Sequence, residues 1–161
     1  MADLSREALE AYRFVAQITD TVDSPEFTRR LALMGLLSSI GETVKPNRSG
    51  ILLFGKEPRL ILQQAGLLAT IKYSDNTEEV RDFDGPQVLV PEQVLKWLLY
   101  KLPNPIDRSE ARRRDMNTIL FELVREGVVN ALVHRDYSIP GAKCQLIVTS
   151  LTLRSRENGE E

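Results

Sequence analysis

Glu122, Glu126, Asn130 and His134 recur at four-residue intervals, and the last of them opens the run His134-Arg135-Asp136-Tyr137. On a helix, two carboxylates, an amide and an imidazole at this spacing stand on successive turns, each advanced by roughly 40° around the axis. Glu126 and Asn130 can then act on one ligand. A carboxylate can take a proton from water, and an amide oxygen is a hard donor suited to a hard cation. A merely solvated helix face carries the same kinds of residue, so the surrounding elements have to discriminate.

The residues around the quartet argue for the helix itself. Met116, Ile119, Leu120, Leu123, Val124, Val128, Ala131 and Leu132 fall at spacings of three and four for about five turns, which defines one buried stripe. Before it, Asp107 to Asp115 sets Arg108, Arg112, Arg113 and Arg114 among Asp107, Glu110 and Asp115. That mixture reads as a solvated linker and as a boundary between two subdomains. After the helix, Ser138-Ile139-Pro140-Gly141 forms a turn and Lys143 to Thr149 a strand, with Leu151 to Leu153 opening a partner. The tail from Arg154 has no apolar residue and should fray.

Earlier in the chain, Leu4, Leu9, Tyr12, Phe14, Val15 and Ile18 give residues 4–18 a broad apolar helical face, with Ser5 as cap. Ser24 followed by Pro25 starts a second helix that should run to about Leu37. Gly41 to Gly50 is a loop by composition. Gly50 and Gly55-Lys56 have the spacing of a phosphate-binding loop, but the interior Ile51-Leu52-Leu53-Phe54 belongs in a core, and Glu57 stands where magnesium needs Ser or Thr. Beyond Pro58 a short helix breaks at Gly66 into a strand reaching Tyr73. Ser74 to Thr77 turns, and Val80 to Phe83 returns as a hairpin. A further helix runs from about Pro91 to Leu102 around Trp97, where Pro103-Asn104-Pro105 stops it.

The pattern predicts an α+β fold, with helices packed on small mixed or antiparallel sheets. Its expected divisions are a helical lead-in over 1–40, a small α/β subdomain over 41–106, and the opening of a third unit over 107–161. The chain has 161 residues and a net charge of −2, so bulk charge announces no polyanion partner. One cysteine, Cys144, excludes an internal disulfide and a Cys-based metal cluster, and a single histidine leaves little for zinc. There is no apolar signal segment and no run of 18 apolar residues. A cytoplasmic protein is expected, without a membrane partner.

Arg125-Glu126-x-x-x-Asn130-Ala131-Leu132-x-His134-Arg135-Asp136-Tyr137-Ser138-x-Pro140-Gly141 resembles the first signature of the ATPase-like C-terminal module in RecG-related DNA helicases and transcriptional regulators. In that family a Schlafen AlbA-type domain usually precedes the module. Ser49-Gly50-Ile51-Leu52-Leu53-Phe54-Gly55-Lys56-x-Pro58 is similar to the segment between the two parts, and the resemblance covers most of residues 25–150. Within the wider gyrase, MutL and histidine-kinase ATPase group, it implies that the Glu-x-x-x-Asn helix lines a nucleotide site. Asn130 would hold Mg²⁺ bridging the phosphates of ATP, and Glu126 would orient or deprotonate the attacking water. His134, Arg135 and Asp136 would fix the turn out of the helix, with one of them facing phosphate.

The chain departs from that pattern after His134, where neither the adenine-binding Asp-x-Gly-x-Gly nor a glycine-rich lid occurs. The expectation is therefore a fragment of a RecG-like protein or transcriptional regulator, ATP-dependent and DNA-associated as a whole, that by itself does not hydrolyse ATP and binds ATP and Mg²⁺ weakly or not at all. No helicase motor motif occurs, so unwinding is not expected. The alternatives are a non-catalytic DNA-binding or regulatory module that touches phosphate through the polar helix and the arginines at 112–114, and an interaction or dimerisation domain forming a homo-oligomer.

Overall fold

The computed structural model describes residues 3–41, 43–102, 110–139, 141 and 143–149, with the backbone alone for Ile40 and for residues 110–120. Within them the chain forms an α+β fold of five helices with a two-stranded and a three-stranded sheet, as the sequence pattern predicts.

Helix α1, Arg6–Val15, starts where Ser5 accepts a hydrogen bond from the Ala8 amide, and α2, Pro25–Leu33, where Ser24 accepts from the Phe27 amide. These side chains satisfy donors that a helix start leaves open. Leu9 and Ala8 of α1 are buried, but Phe14 and Val15 are 85% and 80% exposed, so the helical face is narrower than its composition suggests. Helix α2 ends at Leu33 instead of near Leu37, because Gly35 adopts a φ of 70° and turns the chain out of the helix.

The expected loop from Gly41 to Gly50 is instead half of a hairpin. Strand β1, Leu37–Ile40, pairs antiparallel with β2, Thr43–Pro46, around Gly41 at a φ of 62°. Asn47 then caps helix α3, Arg48–Phe54: its Oδ1 accepts from the Gly50 amide at 3.0 Å while its Nδ2 donates to the Gly35 carbonyl at 2.7 Å. The glycine-lysine spacing thus lies on a helix whose Ile51 and Phe54 enter the core, and Tyr12 meets Phe54 edge to face at 5.5 Å. Phe27, Leu31 and Phe54 centre this first hydrophobic cluster.

A 3₁₀ turn, Pro58–Leu60, leads into β3, Leu67–Lys72, which pairs antiparallel with β4, Glu78–Phe83, as expected. Strand β5, Cys144–Thr149, lies parallel to β3 on its other side, giving the mixed order β4-β3-β5. A parallel pair needs a long crossover, and helices α4, Val90–Lys101, and α5, Glu110–Val133, lie within it. Both pack with the sheet around Leu67, Phe83, Trp97 and Leu98, where Phe83 and Trp97 meet edge to face at 5.7 Å. This second cluster draws on residues either side of 107.

Residues 110–115, expected in a linker, already belong to α5. The stripe positions Met116, Ile119 and Leu120 lie outside the described side chains, as do the arginines at 112–114. Arg108, Pro103 to Pro105, Leu151 to Leu153 and the tail lie outside the described residues. Val128 and Leu132 are buried as predicted. Leu123 and Ala131 are not: both are exposed, Leu123 at 62%, and Phe121 joins Val124 against the cluster. The 3.6-residue repeat through Phe121, Val124, Val128 and Leu132 leaves Leu123 off the stripe.

Candidate functional site

Helix α5 is anchored by its apolar stripe. The Cys144 thiol donates to the Ala131 carbonyl at 3.2 Å, and Arg125 forms an ion pair with Glu92 of α4. These contacts fix the rotation of the helix about its axis and leave Glu122, Glu126, Asn130 and His134 exposed. Among the described residues, neither Glu126 nor Asn130 has a hydrogen-bonding or ionic side-chain partner; the Asn130 carbonyl accepts the His134 amide at 3.0 Å, which carries the helical ladder one residue past Val133. The structure thus brings the glutamate and the asparagine onto adjacent turns with their polar ends available.

The next four residues are held differently. Ser138 donates to Asp136 Oδ1 from both its amide, at 2.8 Å, and its hydroxyl, at 2.6 Å. These bonds, the hydroxyl's first, hold the Asp136 carboxyl below its usual range. Asp136 is therefore committed to the turn, and its remaining oxygen is what a ligand would meet. The Arg135 guanidinium lies over the Tyr137 ring, 5.8 Å from its centre.

Tyr137 is the fixed point of this turn. Its hydroxyl donates to the Leu132 carbonyl at 2.8 Å, and the same oxygen accepts from the Gln87 side chain, while the Tyr137 carbonyl accepts from the Gln64 side chain. Burial pushes the phenol pKa up. Gln64 and Gln87 are the two buried polar residues of the described chain, at 8% and 6% exposure. Sequence reasoning passes over both, since a glutamine in an irregular connection carries no periodic signal of burial. Their role is legible only from the convergence of three distant segments.

A second polar cluster ties the start of the sheet. Arg59 grips Asp82 through both terminal nitrogens, at 2.5 and 2.9 Å, reaches Asp84 at 3.2 Å and donates from Nε to the Ala65 carbonyl. Lys143 approaches the same Asp82 at 2.5 Å. The hydrogen bond from Arg59 is the largest of the effects that hold the Asp82 carboxyl below its usual range. Every strong donor here has an internal acceptor, so this cluster reads as architecture.

Among the described residues, no three or more His, Cys, Asp or Glu side chains converge to hold a metal ion, and no helix is long and apolar enough to cross a membrane. Comparison with family models, with curated proteins and with solved structures finds no match to the chain.

Proposed function

We propose that α5 is the metal-and-phosphate wall of a nucleotide site belonging to an ATPase-like module of the RecG-related and transcriptional-regulator kind. The observation that carries this reading is the contrast along α5 and the turn after it: among the described residues Glu126 and Asn130 are exposed and their side chains unengaged, while Arg125, Asp136 and Tyr137 are tied into the fold. An amide oxygen beside a carboxylate is a donor set that suits Mg²⁺, which supplies charge neutralisation to bound phosphates. Asn130 would hold the cation. Glu126 would accept a proton from a water next to it, and His134, one turn beyond Asn130 on the same face, offers a donor to phosphate oxygen. One wall does not close a site, so this chain binds nucleotide weakly and turns over none.

An NMR titration of the chain with Mg-ATP tests this. Amides between Glu126 and Arg135 should move with millimolar affinity, and Asn130→Ala should abolish the movement while leaving the rest of the spectrum in place. Shifts that are absent from α5, or unaffected by Asn130→Ala, would remove the reading. Affinity for duplex DNA that falls steeply with added salt would favour the DNA-binding alternative instead.

A further inference from the structure

The turn after α5 also forms one side of a cleft of about 400 Å³ lined by Arg48, Ser49, Leu52, Leu62, Tyr137 and Ser138. Its lining is chemically sorted. Helix α3 contributes the exposed Arg48 and Ser49, whose side chains engage no other among the described residues. Leu52, the buried Leu62 and the Tyr137 ring supply apolar surface. Ser138 comes from the turn, and because its hydroxyl proton is committed to Asp136, its oxygen offers lone pairs with a carboxylate behind them. Gln64 and Gln87 hold Tyr137 in place without any ligand, so the wall is preformed. A cleft of this size, mostly apolar with a few placed polar groups, is the usual form of a small-molecule site.

We propose that this cleft binds a small organic anion with an apolar body and a hydrogen-bond donor away from its charge. The anion sits on Arg48 and Ser49, the body lies against Leu52, Leu62 and Tyr137, and the donor meets Ser138 Oγ. The orientation follows from charge: an anion at Ser138 would face the Asp136 carboxylate, whereas at α3 it faces a guanidinium that has no acceptor among the described residues. A nucleoside monophosphate satisfies all three requirements. The site uses neither Glu126 nor Asn130 and needs no metal, so it stands apart from the Mg-nucleotide reading of α5.

The test is a methyl and amide NMR titration of the whole chain with AMP in the absence of Mg²⁺, with inorganic phosphate and adenosine as separate arms. AMP should shift the Leu52 and Leu62 methyls and the Arg48 and Ser138 amides, and each half-molecule should bind at least about tenfold more weakly, as expected when one charged or polar anchor is lost. Arg48→Ala, which removes an exposed side chain, should weaken AMP by roughly tenfold or more. Asn130→Ala should leave it unchanged. The proposal is overturned if AMP does not move the leucine methyls, if phosphate alone matches it, if Arg48→Ala has no effect, or if Asn130→Ala abolishes the shifts.

Discussion

Because the Tyr137 phenol both donates to the Leu132 carbonyl and accepts from the buried Gln87 amide, its oxygen does two jobs that no neighbour can take over. Tyr137→Phe keeps the ring and strands a buried donor, so it should cost on the order of 1–3 kcal/mol in urea unfolding. Asn130→Ala, three residues beyond Gly127 on the exposed face, should change stability by no more than about 0.5 kcal/mol. Leu132→Ala, on the buried stripe, should cost about 2–5 kcal/mol. That contrast separates a residue the fold depends on from one it does not. Asp82 adds a pH prediction. Its carboxyl titrates lower in the folded chain than in the unfolded one, so its contribution is present above the usual carboxylate range and is lost as pH falls through the folded value. Denaturant midpoints measured from neutral pH into that acid range should fall more steeply for the parent chain than for Asp82→Asn. The difference should be about 1 kcal/mol or less, since the pair is partly solvated.

At the scale of elements, α3 shows where sequence patterns suffice and where they do not. The apolar block Ile51 to Phe54 announces a core segment, and Ser5, Ser24 and Pro25 announce two helix starts, because each signal is local chemistry acting within one turn. The β1–β2 hairpin carries no such alternation; it exists because Leu36 and Leu37 are buried against α2 while Asn47 bridges Gly35 and Gly50. Gly50 explains the rest. A Cβ there would lie well inside van der Waals contact of the Leu36 carbonyl oxygen, so the glycine is required by close approach of α3 to the hairpin and not by phosphate. Gly50→Ala should therefore destabilise by about 1–3 kcal/mol or more, and Asn47→Ala by about 1–2 kcal/mol through the lost cap. Thermal melts by circular dichroism check both, and a silent Gly50→Ala would mean that the hairpin and α3 do not pack as described. The candidate helix is legible from the apolar repeat through Val124, Val128 and Leu132 for the same local reason. Its bracing by Gln64 and Gln87 is not, since it depends on residues 50 and more positions away.

For the molecule as a whole, the question is whether its two hydrophobic clusters form one cooperative unit. They share a seam. Val88 and Leu89 pack on the first cluster and Val90 on the second, and the backbone amides of Gln87 and Val88 donate to the carbonyls of Leu52 and Leu53 in α3. Gln87 then reaches Tyr137, so the segment that joins the clusters also supports the turn at the end of α5. Opening either cluster would expose this seam and strand its buried amides, which penalises a half-folded state. Phe27→Ala, deep in the first cluster, should cost about 3–5 kcal/mol. Trp97, the single tryptophan, reports on the second cluster. Its fluorescence midpoint in urea should shift with Phe27→Ala by the same amount as the far-ultraviolet circular dichroism midpoint. A Trp97 transition that stays in place while the dichroism signal splits into two steps would show that the clusters fold independently. The turn carrying His134 to Ser138 would then owe its position to the second cluster alone.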